Sequence, residues 1–125
     1  GACGNTCAYR PEDTPNFTAL MAEFRKQLDA EGALTGKHYE LSAATSANAS
    51  VAAKIELAKV GKILDFYNVM TYDYHGAFDP TTNHLAPLLG SPRDPAGPKF
   101  NVNYSIGYYL SKGVPAKKIH VGVPF

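Results

Sequence analysis

The sequence predicts an α/β fold: a helix-strand-helix-strand-helix-strand segment, that is, a partial (β/α)8 TIM barrel. Three observations predict it. Apolar residues recur at helical spacing in three stretches and as short runs or alternations in three others, and the two kinds alternate along the chain. Strands joined by crossover helices run parallel. No Gly-x-Gly-x-x-Gly follows a strand-like run, which leaves a dinucleotide fold without support, whereas a long loop follows one strand's C-terminal end, where barrels build their active sites.

Residues 1–14 combine Gly, Asn, Thr, Pro and charge without a period and read as a loop. Thr14-Pro15 then offers an N-cap with proline at the first helical position. Phe17, Leu20, Met21, Phe24 and Leu28 follow as one apolar helix face, and Gly32, after Glu31, is the expected C-terminal stop. Tyr39 to Ser46 reads as a strand, with Tyr39, Leu41 and Ala43 alternating. Val51 to Ile63 reads as a second helix, capped by Ser50 and weakened at Gly61. Asp65 to Tyr72 has few polar positions, the pattern of a strand buried on both faces of a parallel sheet. Residues 74–100 form a loop rich in Pro and Gly. Asn101 caps a third helix with Val102, Ile106, Tyr109 and Leu110 on one face; Gly113 and Pro115 close it, and Ile119 to Val123 is the last strand.

The 125 residues are 45% hydrophobic and 18% charged, with a formal charge of +1. Clustered Lys and Arg are missing, which disfavours a nucleic-acid partner, and no apolar run has the length of a membrane span. No cofactor motif or metal-ligand cluster is present, so neither a cofactor nor a metal is expected. The start, Gly1-Ala2-Cys3-Gly4, lacks Met and a leader-like region, and the end lies inside a strand-like run. The expectation is that residues 1–125 are part of one (β/α)8 domain of a larger protein and no complete domain. Cys3 and Cys7 admit unrelated thiols, half of a zinc site or a local disulfide. The disulfide is the expectation; it would pin a loop in an oxidising, extracytoplasmic compartment and stabilise by only about 2 kcal/mol.

The most informative stretch is Met70-Thr71-Tyr72-Asp73-Tyr74-His75-Gly76-Ala77-Phe78, which follows the apolar run Ile63 to Val69. A buried strand that runs into a Tyr-Asp pair and then Gly-Ala-aromatic marks a site. These residues resemble the sixth strand of bacterial chitinases of glycoside hydrolase family 18. The resemblance runs over nearly the whole chain, from just after strand four to strand seven of the family's barrel. Arg10-Pro11-Glu12-Asp13 with Asn16-Phe17 resembles the segment after the catalytic Glu-Tyr-Pro. Tyr39 to Ala44 resembles strand five, His84-Leu85-Ala86-Pro87-Leu88 resembles a family loop, and Gly113-Val114-Pro115 with Lys118-Ile119 and Val121 to Phe125 resembles the approach to strand seven. The family's acid lies in Asp-x-x-Asp-x-Asp-x-Glu on an earlier strand, and that motif does not occur in these residues; a later Arg and a final-strand Trp are likewise not among them.

The resemblance implies a secreted, extracellular, endo-acting chitinase that hydrolyses β-1,4-N-acetylglucosamine linkages in chitin or chitooligosaccharides. Its mechanism is retaining and substrate-assisted, an exception to the two-carboxylate scheme: a Glu protonates the glycosidic oxygen and the substrate's acetamido carbonyl attacks the anomeric carbon. Tyr72 is then expected to hold the acetamido oxygen, Asp73 to accept hydrogen bonds near the scissile bond, and Met70 to pack on the acetamido methyl. Tyr74 and Phe78 are candidate sugar-stacking rings; His75 is expected as a loop contact, not a ligand or base. A chitinase-like lectin and an independent small α/β domain are the other readings. Asn16-x-Thr18, Asn48-x-Ser50 and Asn103-x-Ser105 match a glycosylation pattern but are better explained by helix capping.

Overall fold

The structure, a computed structural model, describes residues 7–125. Helix α1 spans Asp13–Thr35. Strand β1 (Ser42–Ser46), the short helix α2 (Ala49–Ala52), helix α3 (Leu57–Ile63) and strand β2 (Phe66–Met70) follow. After the long loop come helix α4 (Val102–Ser111), a 3-10 turn (Ala116–Lys118) and strand β3 (Ile119–Val121). The strands form one parallel sheet in the order β1-β2-β3. Parallel strands joined by helices are what the alternating pattern requires, and the chain is a segment of a (β/α)8 fold. Among the described residues no helix is long and apolar enough to cross a membrane.

Several boundaries differ from expectation. Helix α1 starts at Asp13 and passes through Gly32 to a left-handed cap at Gly36 (φ 69°). Gly32 is needed for close approach, not as a stop: its carbonyl accepts the Gly36 and Lys37 amides at 2.8 and 3.3 Å, and a Cβ there would lie 2.5 Å from the Lys37 carbonyl oxygen. The Thr14 hydroxyl reaches across to the Lys54 carbonyl (2.7 Å) and does not cap. The second predicted helix is split at residues 53–56, where α1 holds the chain through that bond and through Thr18 Oγ1 to Glu56 (2.8 Å). Asn48, not Ser50, caps α2, accepting the Ser50 amide at 3.0 Å. Gly61 does not break α3, because Lys118 Nζ donates to the Gly61 and Leu64 carbonyls (2.8 and 2.6 Å) and places a cation at the helix C-terminus.

The core lies between sheet and helices. Tyr67 and Val69 of β2 point into it with Val60, Leu64 and Tyr109, and the Tyr67 hydroxyl donates to the Leu57 carbonyl at 2.8 Å. Burial in an apolar core pushes the Tyr67 and Tyr109 phenols up. Among the described residues only this face of β2 is covered. Phe66, Asn68 and Met70 alternate onto the other face and remain partly exposed, which corrects the expectation of two buried faces. Three strands curl through only part of a barrel, and closure is what covers that face. On α4, Ser105 and Tyr109 are buried whereas Leu110 is exposed, so the helix turns a small polar residue toward the sheet. Likewise Leu20 and Phe24 of α1 stay half-exposed while Met21 is buried.

Candidate functional site

The C-terminal end of β2 carries the site. Met70 ends the strand opposite Ser46 of β1, on the uncovered face. Thr71 is fully buried and turns the chain: its amide donates to the Val69 carbonyl (2.9 Å) and its hydroxyl to the Gly122 carbonyl (2.7 Å). The Gly122 amide returns a bond to the same Val69 carbonyl at 2.9 Å. The segment after β3 is thus stitched to the end of β2, and the Tyr72 ring lies directly on Gly122. A Cβ at position 122 would sit 2.7 Å from Tyr72 Cε1 and 2.7 Å from the Val69 oxygen.

Tyr72 is half-buried and Asp73 is exposed. Among the described residues, neither the Tyr72 hydroxyl nor the Asp73 carboxylate makes a hydrogen bond or ion pair, so both polar ends are available to a ligand. Asp73 has φ 56°, the only left-handed non-glycine residue among those described. That conformation costs of order 1–3 kcal/mol and persists where neighbours over-determine it.

The neighbours do so. Tyr74 is buried; its amide donates to the Leu85 carbonyl (3.0 Å) and its hydroxyl to Ser105 Oγ (2.7 Å). Ser105 in turn donates to the Ala47 carbonyl at 2.7 Å, which links the end of β1, α4 and the turn after β2. Burial pushes the Tyr74 phenol up, against the lowering effect of its bond to Ser105. Tyr74 was expected as a sugar-stacking ring. At 7% exposure, with its hydroxyl committed to Ser105, it packs into the core instead. Phe78 is 70% exposed and folds over Gly76, whose added Cβ would meet the ring at 2.8 Å.

His75 lies between two carboxylates: Nε2 is 2.9 Å from Asp94 Oδ2 and Nδ1 is 3.3 Å from Asp79 Oδ2. It is a loop contact, as expected. Burial opposes ionisation of Asp94, yet the Ala96 amide (2.8 Å) and His75 hold its carboxyl below the usual range. The loop is also strapped to the first turn of α4, where the Val102 and Asn103 amides donate to the Pro87 and Leu88 carbonyls (2.9 and 3.0 Å) and Asn101 caps the Tyr104 amide (2.9 Å). Cys3 lies outside the described residues, so its expected pairing with Cys7 is not described. Among the described residues no group of three or more His, Cys, Asp or Glu could hold a metal ion.

Thr71, Gly122, Ser105 and Asp94 were not read from the sequence as part of the site. Only Gly122 left a signal, as an isolated glycine inside a strand pattern, which marks a close backbone approach.

Known proteins resemble this chain in family pattern, sequence and fold. The pattern of the family described as Glycosyl hydrolases family 18 matches residues 3–125. Chitinase A1 of Niallia circulans is 45% identical over 130 residues, covering 100% of this chain and 18% of that protein. Chitinase 1 of Aphanocladium album is 35% identical over 87% of this chain and 26% of its own length. Among solved structures, chitinase ChiA74 from Bacillus thuringiensis superposes with TM-score 0.90 at 45% identity, over 95% of this chain and 19% of that one. Catalytic domain 2 of the Ostrinia furnacalis Group II chitinase superposes with TM-score 0.85 at 36% identity, over 94% of this chain and 29% of that one; a mutant of it is solved in complex with penta-N-acetylchitooctaose. The chain therefore spans about a fifth to a quarter of the length of the curated relatives it matches.

Proposed function

The chain belongs to glycosyl hydrolases family 18, and on that premise we propose that the full-length protein is a chitinase. It hydrolyses β-1,4-linked N-acetylglucosamine chains, acting within them, by a retaining, substrate-assisted route. The single observation that carries this reading is the pair of unengaged polar ends, Tyr72 and Asp73, fixed at the C-terminal end of a parallel strand.

The Tyr72 hydroxyl donates to the acetamido oxygen of the sugar at the cleavage point and holds it under the anomeric carbon. Such positioning converts a slow encounter into an intramolecular attack. That oxygen forms a bond to the anomeric carbon as the glycosidic bond breaks, and a general acid outside residues 1–125 delivers its proton to the leaving oxygen. Asp73 accepts from the acetamido N–H or from a neighbouring hydroxyl and stabilises the cyclic cation. Water then attacks the anomeric carbon from the face the leaving group vacated and gives its proton to the same acid residue, with net retention. Met70 packs on the acetamido methyl, and the exposed Phe78 ring offers an apolar face to a pyranose at the rim.

Residues 1–125 are, in this reading, part of one catalytic domain. The protein is secreted, and a Cys3–Cys7 disulfide pins the loop before α1. The test is turnover of a chromogenic chitobioside and of a chitooligosaccharide by the full-length protein, with the anomer of the first product read by NMR. Release of the β-anomer is expected. No turnover, or the α-anomer, overturns the reading. The hydrolase is favoured over a chitin-binding lectin because the relatives named above are chitinases.

A further inference from the structure

Asp73 stands between two anchored stretches, and the anchor on its C-terminal side is built around a buried histidine. Tyr74 is tied to Leu85 and Ser105, and His75, two residues from Asp73, is gripped at both ring nitrogens. The two gripping carboxylates are oriented independently of the ring. Asp79 Oδ2 also accepts the Gly76 amide at 3.1 Å, and Asp94 Oδ1 accepts the Ala96 amide at 2.8 Å. The side chains of His75 and Asp94 are 5% and 4% exposed, so their contact is nearly closed to water, while Asp79 is 29% exposed. The ring further leans on Phe100, with centroids 6.3 Å apart. Nothing in a surface loop requires a histidine held on three sides, but a left-handed aspartate two residues before it requires a fixed chain beyond it.

We infer that His75 is a positioning residue for the reaction. Clamped between Asp79 and Asp94, it fixes the backbone after Asp73, and so the Asp73 carboxylate, and closes the loop that carries Phe78. The inference rests on the hydrolase reading above for its consequence in catalysis, but its geometric part does not.

The test uses the full-length protein and three variants. His75→Phe keeps a ring of similar size without nitrogen, His75→Gln restores one donor, and Asp94→Asn removes one charge. His75→Phe is expected to lower kcat on a chitooligosaccharide by about 10- to 100-fold with KM within about threefold, since small misplacements of a reacting group are costly. His75→Gln should recover part of that loss, and adding Asp73→Asn to His75→Phe should cost less than Asp73→Asn alone. A merely structural histidine would lower Tm and leave kcat per folded enzyme unchanged. A kcat within twofold of the parent in His75→Phe, measured well below its Tm, overturns the inference. If His75→Phe does not fold, Asp94→Asn and His75→Gln are read by the same criteria.

Hydrogen exchange at the Tyr74 amide separates this inference from the hydrolase reading. Protection of that amide should fall at least tenfold in His75→Phe or, failing its folding, in Asp94→Asn. Lost protection in a protein whose wild type shows no turnover overturns the hydrolase reading and supports the clamp. Unchanged protection overturns the clamp, whatever the activity.

Discussion

The shoulder formed by α1 and the end of β2 are held in opposite ways. The α1 shoulder is regular: a 23-residue helix with a left-handed glycine cap, fastened through Thr14 and Thr18 and through a hub at Asp65. That carboxylate accepts from the Leu41 amide (2.7 Å), Arg25 (3.2 Å) and His38 (2.8 Å), and so joins the helix, the approach to β1 and the start of β2. The end of β2 has almost no regular structure for 31 residues, from 71 to 101. It is held by side chains that reach distant parts of the chain: Thr71 to the Gly122 carbonyl, and Tyr74 to Ser105, which in turn bonds to the Ala47 carbonyl. One region shapes the scaffold, and the other fixes two polar groups that have no partners among the described residues. Changes in the first should alter stability, and changes in the second should alter turnover.

The largest expected effect sharpens that contrast at Gly122. Gly122→Ala drives a methyl into both the Tyr72 ring and the Val69 carbonyl. It should lower kcat/KM of the full-length protein at least 100-fold and reduce stability by about 2–3 kcal/mol; near-normal kinetics would separate Tyr72 from this contact. Next, Ser105→Ala removes the link from Tyr74 to Ala47 and strands two buried polar atoms, at a cost of about 2 kcal/mol, with a drop in kcat that denaturation curves and initial rates would resolve together.

Asp65→Ala probes the other region. It should cost about 1–3 kcal/mol and leave KM and kcat within about twofold. Burial opposes ionisation of Asp65, but the Leu41 amide, His38 and Arg25 outweigh it and hold the carboxyl low. A carboxyl lowered by folding adds stability above its unfolded value, near 3.9, and that stability is lost as pH falls through the folded value. The Tm gap between the parent and Asp65→Ala should therefore narrow as pH falls below about 4. The smallest effect is expected from Asn48→Ala, which removes the α2 cap for about 1 kcal/mol with activity unchanged.

The same contrast explains what the sequence could reveal. Periodicity and alternation exposed the order of elements and the parallel sheet, because burying an apolar stripe leaves a repeating trace. They placed Tyr72 and Asp73 at a strand end, and the family resemblance supplied their roles. Boundaries failed where tertiary contacts overrode local preference. Gly32 reads as a stop but is the glycine that lets the chain fold back over α1, and the break at 53–56 is held by hydroxyls from Thr14 and Thr18 that no local pattern announces. Tyr74 was misread because an aromatic in a site motif looks the same whether it faces a sugar or bonds to a serine 31 residues away. The His75–Asp94 contact spans 19 residues of loop without a repeat to betray it.

The central claim is that the end of β2 presents Tyr72 and Asp73 to an N-acetylated sugar. Its most direct test is the kcat of Tyr72→Phe in the full-length protein, measured on a chitooligosaccharide beside the wild type, with Tm confirming an intact fold. Removal of one donor from a fixed site predicts a fall in kcat of about 100-fold with little change in KM. A wild-type kcat in that variant would contradict the claim and return Tyr72 to a packing role against Gly122.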